Sequence, residues 1–261
     1  MSVVKHKTVK RLEVSIKTPA GMLTTPVEVP TGFVPVTAIV PLMRRLGEQA
    51  QALEERKTLA AGEPISCKKG CAACCRMLVP VSAPEAFALK DMIGALPDAR
   101  RQATLRKVAE AKTRLAQAGL LARLTAIAET DRQLSDEEME PINRDYYALR
   151  TPCPFLENEV CSIYEDRPAA CRELLVTSPA ELCQDMVKNP VRPLRVPVRM
   201  GTVLGLLWSE LAGGPARLIP LPVALDWAER HADDGTKIWK GAHLLEQAMD
   251  KVWRYLSQSS K

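Results

Sequence analysis

A single, mainly helical domain with one small β-hairpin at its N-terminal end, and two cysteine-rich loops drawn together by metal, is what this sequence predicts. Three observations carry the prediction. Stretches rich in Ala, Leu, Arg and Glu recur with apolar residues three and four apart, the period of an amphipathic helix. Period-two alternation is confined to the start of the chain, and all eight cysteines lie in or near two short blocks.

Taken in order, Leu12, Val14 and Ile16 alternate with polar neighbours, Thr18-Pro19-Ala20-Gly21 supplies a turn, and Val27 and Val29 continue the return strand. A helix is predicted from about Thr37 to Ala61, with Leu42, Leu46, Gln49, Leu53 and Arg56 at helical spacing and Pro41 in its first turn. Gly62-Glu63-Pro64 ends it. Leu78 to Val81 reads as extended. Ser82 and Glu85 form a capping box opening a helix to about Leu96, and Pro97-Asp98 opens a long one through Ala128 whose apolar stripe slips near Gly119. A second box, Ser135 with Glu138, starts a helix carrying Met139, Ile142, Tyr146 and Leu149 past Pro141. Arg167-Pro168 begins a short helix bearing Cys171 and Arg172. A third box at Ser178-Pro179-Ala180-Glu181 puts Cys183 about one turn into the next helix. Beyond it, Met200 to Leu211 reads as a buried helix with Trp208, Pro220-Leu221-Pro222 leads a helix through Ala232, and Trp239 to Ser257 forms the terminal helix. These elements divide the chain into an N-terminal hairpin and helix (1–62), a cysteine core (63–190) and a helical extension packed on it (191–261).

The chemistry sits in the blocks. The first is Cys67-Lys68-Lys69-Gly70-Cys71-Ala72-Ala73-Cys74-Cys75, and the second holds Cys153-Pro154-Phe155-Leu156, Cys161 and Cys171. Thiolates are soft ligands for zinc and for iron–sulfur clusters, and ligands two or three residues apart can grip one centre from a single turn of backbone. Gly70 suits that turn because it takes positive φ at no Cβ cost. Pro152 and Pro154 hold Cys153 extended. Three other readings fit less well. Disulfides belong to oxidising compartments, whereas the opening Met1-Ser2-Val3-Val4-Lys5-His6-Lys7 shows no apolar export region. Buried inert cysteines would scatter through the chain. A redox pair at Cys71 and Cys74 lacks the strand–helix unit around it. The ligand candidates are therefore Cys67, Cys71, Cys74, Cys75, Cys153, Cys161 and Cys171, while Cys183 reads as an ordinary buried cysteine.

With this order and spacing the chain resembles the YkgJ-type cysteine-cluster family, described as zinc- or iron-chelating, whose hallmark is a CxxxCxxCC run followed by a CPFL…C.IY..RP..CR block. The matching residues are Cys67 to Cys75, then Cys153-Pro154-Phe155-Leu156, Cys161, Ile163-Tyr164, Arg167-Pro168 and Cys171-Arg172. The resemblance implies a metal cofactor, and extends distantly to flagellin lysine N-methylases, which carry a similar cysteine set. Cys67, Cys71 and Cys74 also match the three-thiolate spacing of radical S-adenosylmethionine enzymes, but the repeated strand–helix units of their barrel are missing. The spacing and the methylase kinship favour a four-iron iron–sulfur cluster, with zinc the alternative.

Composition bounds the rest. The 46% hydrophobic and 26% charged content suits a globular protein, no apolar run approaches the roughly 20 residues of a membrane span, and a cytoplasmic, thiol-reducing home is expected. The net charge of +5 invites nucleic acid, but an aromatic share of 4% leaves few rings to stack bases. Lys68, Lys69, Arg76, Arg167 and Arg172 lie beside candidate ligands, where cations favour thiolate. His6, His231 and His243 are remote from both blocks, and no nucleophile elbow exists. Three functions follow: a metal-chelating module, a methylase-like enzyme using S-adenosylmethionine on a protein substrate, or a metal-stabilised partner-binding protein.

Overall fold

The computed structural model describes residues 8–258. It is mainly helical with small two-stranded sheets, as the sequence predicts. The opening hairpin pairs β1 (Val9–Thr18) with β2 (Gly21–Pro30), Val9 opposite Pro30 and Thr18 opposite Gly21. Its tight end is fixed locally, because the Thr18 hydroxyl donates to the Gly21 carbonyl at 2.9 Å and accepts from the Ala20 N–H at 3.2 Å. Alternation turns Val14, Ile16, Val27 and Val29 into the core.

After β3 (Phe33–Pro35) and a 3₁₀ turn, α1 (Val40–Ala60) begins with Pro41 in its first turn. Its buried stripe runs through Leu42, Met43, Leu46, Ala50 and Glu54; Gln49 and Arg56, expected on that stripe, face solvent. Then come β4 (Pro80–Ser82) and α2 (Ala83–Gly94), opened by the predicted capping box. The long helix expected from Pro97 to Ala128 is two helices, α3 (Asp98–Gln117) and α4 (Leu121–Glu129). Gly119 sits between them at φ +71°, a conformation that costs an L side chain about 1 kcal/mol or more, and the slip in the stripe was its signature. Helix α5 (Asp136–Ala148) carries the second capping box and keeps Pro141 inside, with Tyr146 as its buried residue.

The second block folds as the ribbon β5 (Leu156–Glu157) and β6 (Val160–Cys161), turned by Asn158 and Glu159 at φ +50° and +59°, followed by the short helix α6 (Ala169–Glu173). The third capping box does not form. Ser178 Oγ instead accepts the Arg192 N–H at 3.2 Å, and Cys183 lies on a 3₁₀ helix, Ala180–Asp185, with Pro179 at its N-cap.

Helix α7 (Met200–Ala212) is the axis of the core, burying Met200, Val203, Leu204, Leu207 and Trp208 against α1 and α2. It is followed by β7 (Leu218–Pro220), which pairs with β4, and α8 (Ala224–Arg230). The helix expected through Ala232 stops at His231 and resumes as the single turn α9 (Ala232–Gly235). Trp239, expected in the terminal helix, lies in β8 (Ile238–Lys240), which pairs with β3; α10 (Gly241–Gln258) starts only after it. Aromatic rings meet here, with the Phe87 ring 5.4 Å from Trp208 and 5.3 Å from Trp227. One continuous core runs from Val14 through Leu46, Leu89, Leu124 and Leu204 to Leu256. It therefore draws on all three stretches of the chain. Among the described residues no helix is long and apolar enough to cross a membrane.

Candidate metal centre

The first block enters as a loop. Cys71 N–H closes a turn onto the Lys68 carbonyl at 3.0 Å, with Gly70 at φ +92° as its spacing anticipates. The chain then winds into a 3₁₀ turn, Ala73–Arg76, that carries Cys74 and Cys75 side by side. Two contacts tie this turn to the second block, 78 residues downstream at the nearer of them. Cys153 N–H donates to the Cys75 carbonyl at 2.7 Å, and the Arg76 guanidinium grips both oxygens of Glu159, at 2.7 and 3.1 Å. The blocks are thus adjacent through backbone and side chain together.

Within the second block, Ser162 N–H donates to the Phe155 carbonyl at 2.8 Å and Leu156 N–H to the Cys153 carbonyl at 2.9 Å, which folds Cys161 back beside Cys153. Cys171 arrives from α6, whose first N–H, that of Ala169, donates to Glu85 Oε1 at 2.7 Å. Glu85 is fully buried. Its other oxygen accepts Ser82 N–H at 3.1 Å and the Ser82 hydroxyl at 2.9 Å, and Arg44 lies 3.8 Å away, its own ionisation disfavoured by burial. So one carboxylate caps α2, caps α6 and neutralises a buried arginine. At the far end of α6, Glu173 Oε1 accepts Met200 N–H at 2.7 Å and caps α7.

None of the eight cysteines is in a disulfide. Six of the seven predicted ligands, Cys71, Cys74, Cys75, Cys153, Cys161 and Cys171, line one cavity of about 700 Å³; Cys67 does not. Burial pushes Cys171 well above the ordinary thiol range and Cys153 up to about 12, with the neighbouring cysteines adding to both. Cys74, hydrogen-bonded to the Cys75 thiol and buried, is raised as well. Deprotonating several such buried thiols together calls for positive charge, which a metal ion supplies beside the cavity's own Lys68 and Arg167. Soft, half-buried, unpaired sulfurs in this number fit that requirement. Among the described residues no three Cys, His, Asp or Glu side chains are already gathered closely enough to hold an ion.

Cys67 stands behind the cavity. Its sulfur accepts Val176 N–H at 3.3 Å, and it packs with Cys183, Ala73 and Val176 in a satellite cluster separate from the main core. Of the five cations expected beside the thiols, Arg167 bears on them most, opposing the rise of Cys74, Cys161 and Cys171 while it stacks 3.6 Å from the Tyr164 ring. Lys68 lines the cavity and Lys69 sits 5.1 Å from the same ring. Arg76 and Arg172 are taken up by Glu159 and Glu48. Sequence reasoning missed Arg195, Arg199 and Tyr255, which line the cavity from the C-terminal stretch. No local motif marks them.

Residues 66–186 match the CxxCxxCC family model, whose description reads "Putative zinc- or iron-chelating domain". The matched stretch, a little under half of the chain, is similar to that family. The match supports metal binding by the cysteines, and both blocks and Cys183 fall inside the CxxCxxCC segment. No curated protein and no solved structure is matched, so the likeness to lysine N-methylases rests on the cysteine pattern alone.

Proposed function

We propose that this protein holds an iron–sulfur cluster between its two cysteine blocks, in a reducing cytoplasm, with the metal ligands of the protein drawn from Cys67, Cys71, Cys74, Cys75, Cys153, Cys161 and Cys171. The observation that carries the reading is the single cavity onto which cysteines from both blocks open. A cavity of about 700 Å³ has room for a multi-iron cluster, where a lone zinc ion with sulfurs at about 2.3 Å would need far less. Backbone donors to sulfur, such as Val176 N–H to Cys67, support thiolate at those positions.

Zinc is the second reading, favoured by the all-cysteine donor set and by the burial of Cys183 beside Cys67. The cavity is also of a size that takes a small molecule beside the metal, lined by Arg167, Arg195 and Arg199, which keeps a catalytic role such as methyl transfer open to test. Protein purified without air, analysed for iron, zinc and sulfide and by absorption, decides between the metals. Brown protein with iron and sulfide is expected. Colourless protein holding zinc alone would replace the cluster by a structural zinc site, and calorimetry with S-adenosylmethionine then reports whether the cavity binds a methyl donor.

A further inference from the structure

We infer that Cys183 is a metal ligand, joining Cys67, Cys71 and one thiol of the Cys74–Cys75 pair in a second four-thiolate site that takes zinc. The inference deepens the metal-binding reading above and rests on it. Cys67 and Cys183 are the two cysteines that do not line the large cavity. They meet on its far side in their own buried cluster, covered by Val176, Met186 and Val191. The 3₁₀ helix carrying Cys183 packs directly on the 3₁₀ turn carrying Cys74 and Cys75, and Ser66 N–H donates to the Val176 carbonyl at 3.0 Å, which holds Cys67 in place. Cys71 and Cys74 lie within electrostatic reach of both Cys67 and Cys183.

The division follows from the turn. Cys74 and Cys75 sit side by side on a turn that borders the cavity and packs on the Cys183 helix, so one thiol of the pair can serve each site. One thiol of the pair then completes Cys153, Cys161 and Cys171 at the cavity, and the other completes the second site. Eight cysteines give two sets of four, with none spare. A closed, all-thiolate site under apolar cover is the environment of structural zinc, whereas the cavity-facing set stays accessible.

The test is zinc and iron content of anaerobically purified wild type, Cys183→Ser, Cys67→Ser and the double variant. Each single variant is expected to lose about one zinc ion per chain, the double no more, with iron and visible absorbance kept. Full zinc in Cys183→Ser alongside loss in Cys67→Ser overturns the inference. X-ray absorption of the wild-type zinc covers the case of a variant that does not fold: four sulfurs at about 2.3 Å support the site, three sulfurs with a nitrogen or oxygen overturn it. Wild type with two zinc ions and no iron ends the cluster reading and leaves this one standing, while wild type without any metal removes both.

Discussion

Glu173 is two residues from Cys171 and half-buried at the end of α6, where desolvation lifts its carboxyl to about 7. The folded protein therefore holds a proton there that the unfolded chain releases near pH 4.3. The stability this contributes is complete below that value and is lost as pH rises through 7. Glu173→Gln keeps an oxygen for Met200 N–H and removes the ionisation. It is expected to flatten the fall in melting temperature between pH 5 and 8, and to gain on the order of 1–3 kcal/mol at pH 8. A wild-type melting temperature that does not change over that interval would sink the argument. The same desolvation acts on the Cys153 and Cys171 thiols, with Arg167 as the opposing charge at Cys171.

Helix α6, five residues long, has too few internal bonds to stand alone, and its position is fixed by what caps it. Glu85 of α2 does this while also capping α2 and facing Arg44. Glu85→Ala would leave the buried Arg44 uncompensated and the Ala169 N–H without its acceptor. We expect a loss of about 3–5 kcal/mol in denaturant unfolding, together with reduced metal content because Cys171 rides on α6. A variant within 1 kcal/mol of wild type would show that α6 is held by something else. The capping box itself was legible in the sequence, since Ser82 and Glu85 are local partners. The second task of Glu85 was not, because Ala169 lies 84 residues away and no periodicity encodes that contact. Likewise the hairpin and α7 followed from alternation and apolar runs. The break at Gly119 and the strand at Trp239 depended on single positions where a positive φ or a distant pairing partner overrides helical patterning.

Across the whole molecule, the core from Val14 to Leu256 is built without the cysteine loops as its centre, and only Cys153 and Cys161 pack against its edge. The direct ties between the two blocks include the Cys153–Cys75 backbone bond and the half-exposed Arg76–Glu159 pair, the latter worth about 1 kcal/mol or less. A metal bridging both blocks would add far more than these contacts, so metal and the folding of the middle of the chain should be coupled. The grouping of cysteines into two blocks was visible from spacing. That Cys67 and Cys183 would share a cluster apart from the cavity the other six line was not, because it depends on how two 3₁₀ turns distant in sequence pack on each other. The most direct test of the central claim is the metal content of Cys71→Ser and Cys161→Ser, one from each block, prepared without air beside wild type. The account predicts a loaded wild type and a loss of metal in both variants. Wild-type metal content in either variant would contradict a centre built by both blocks.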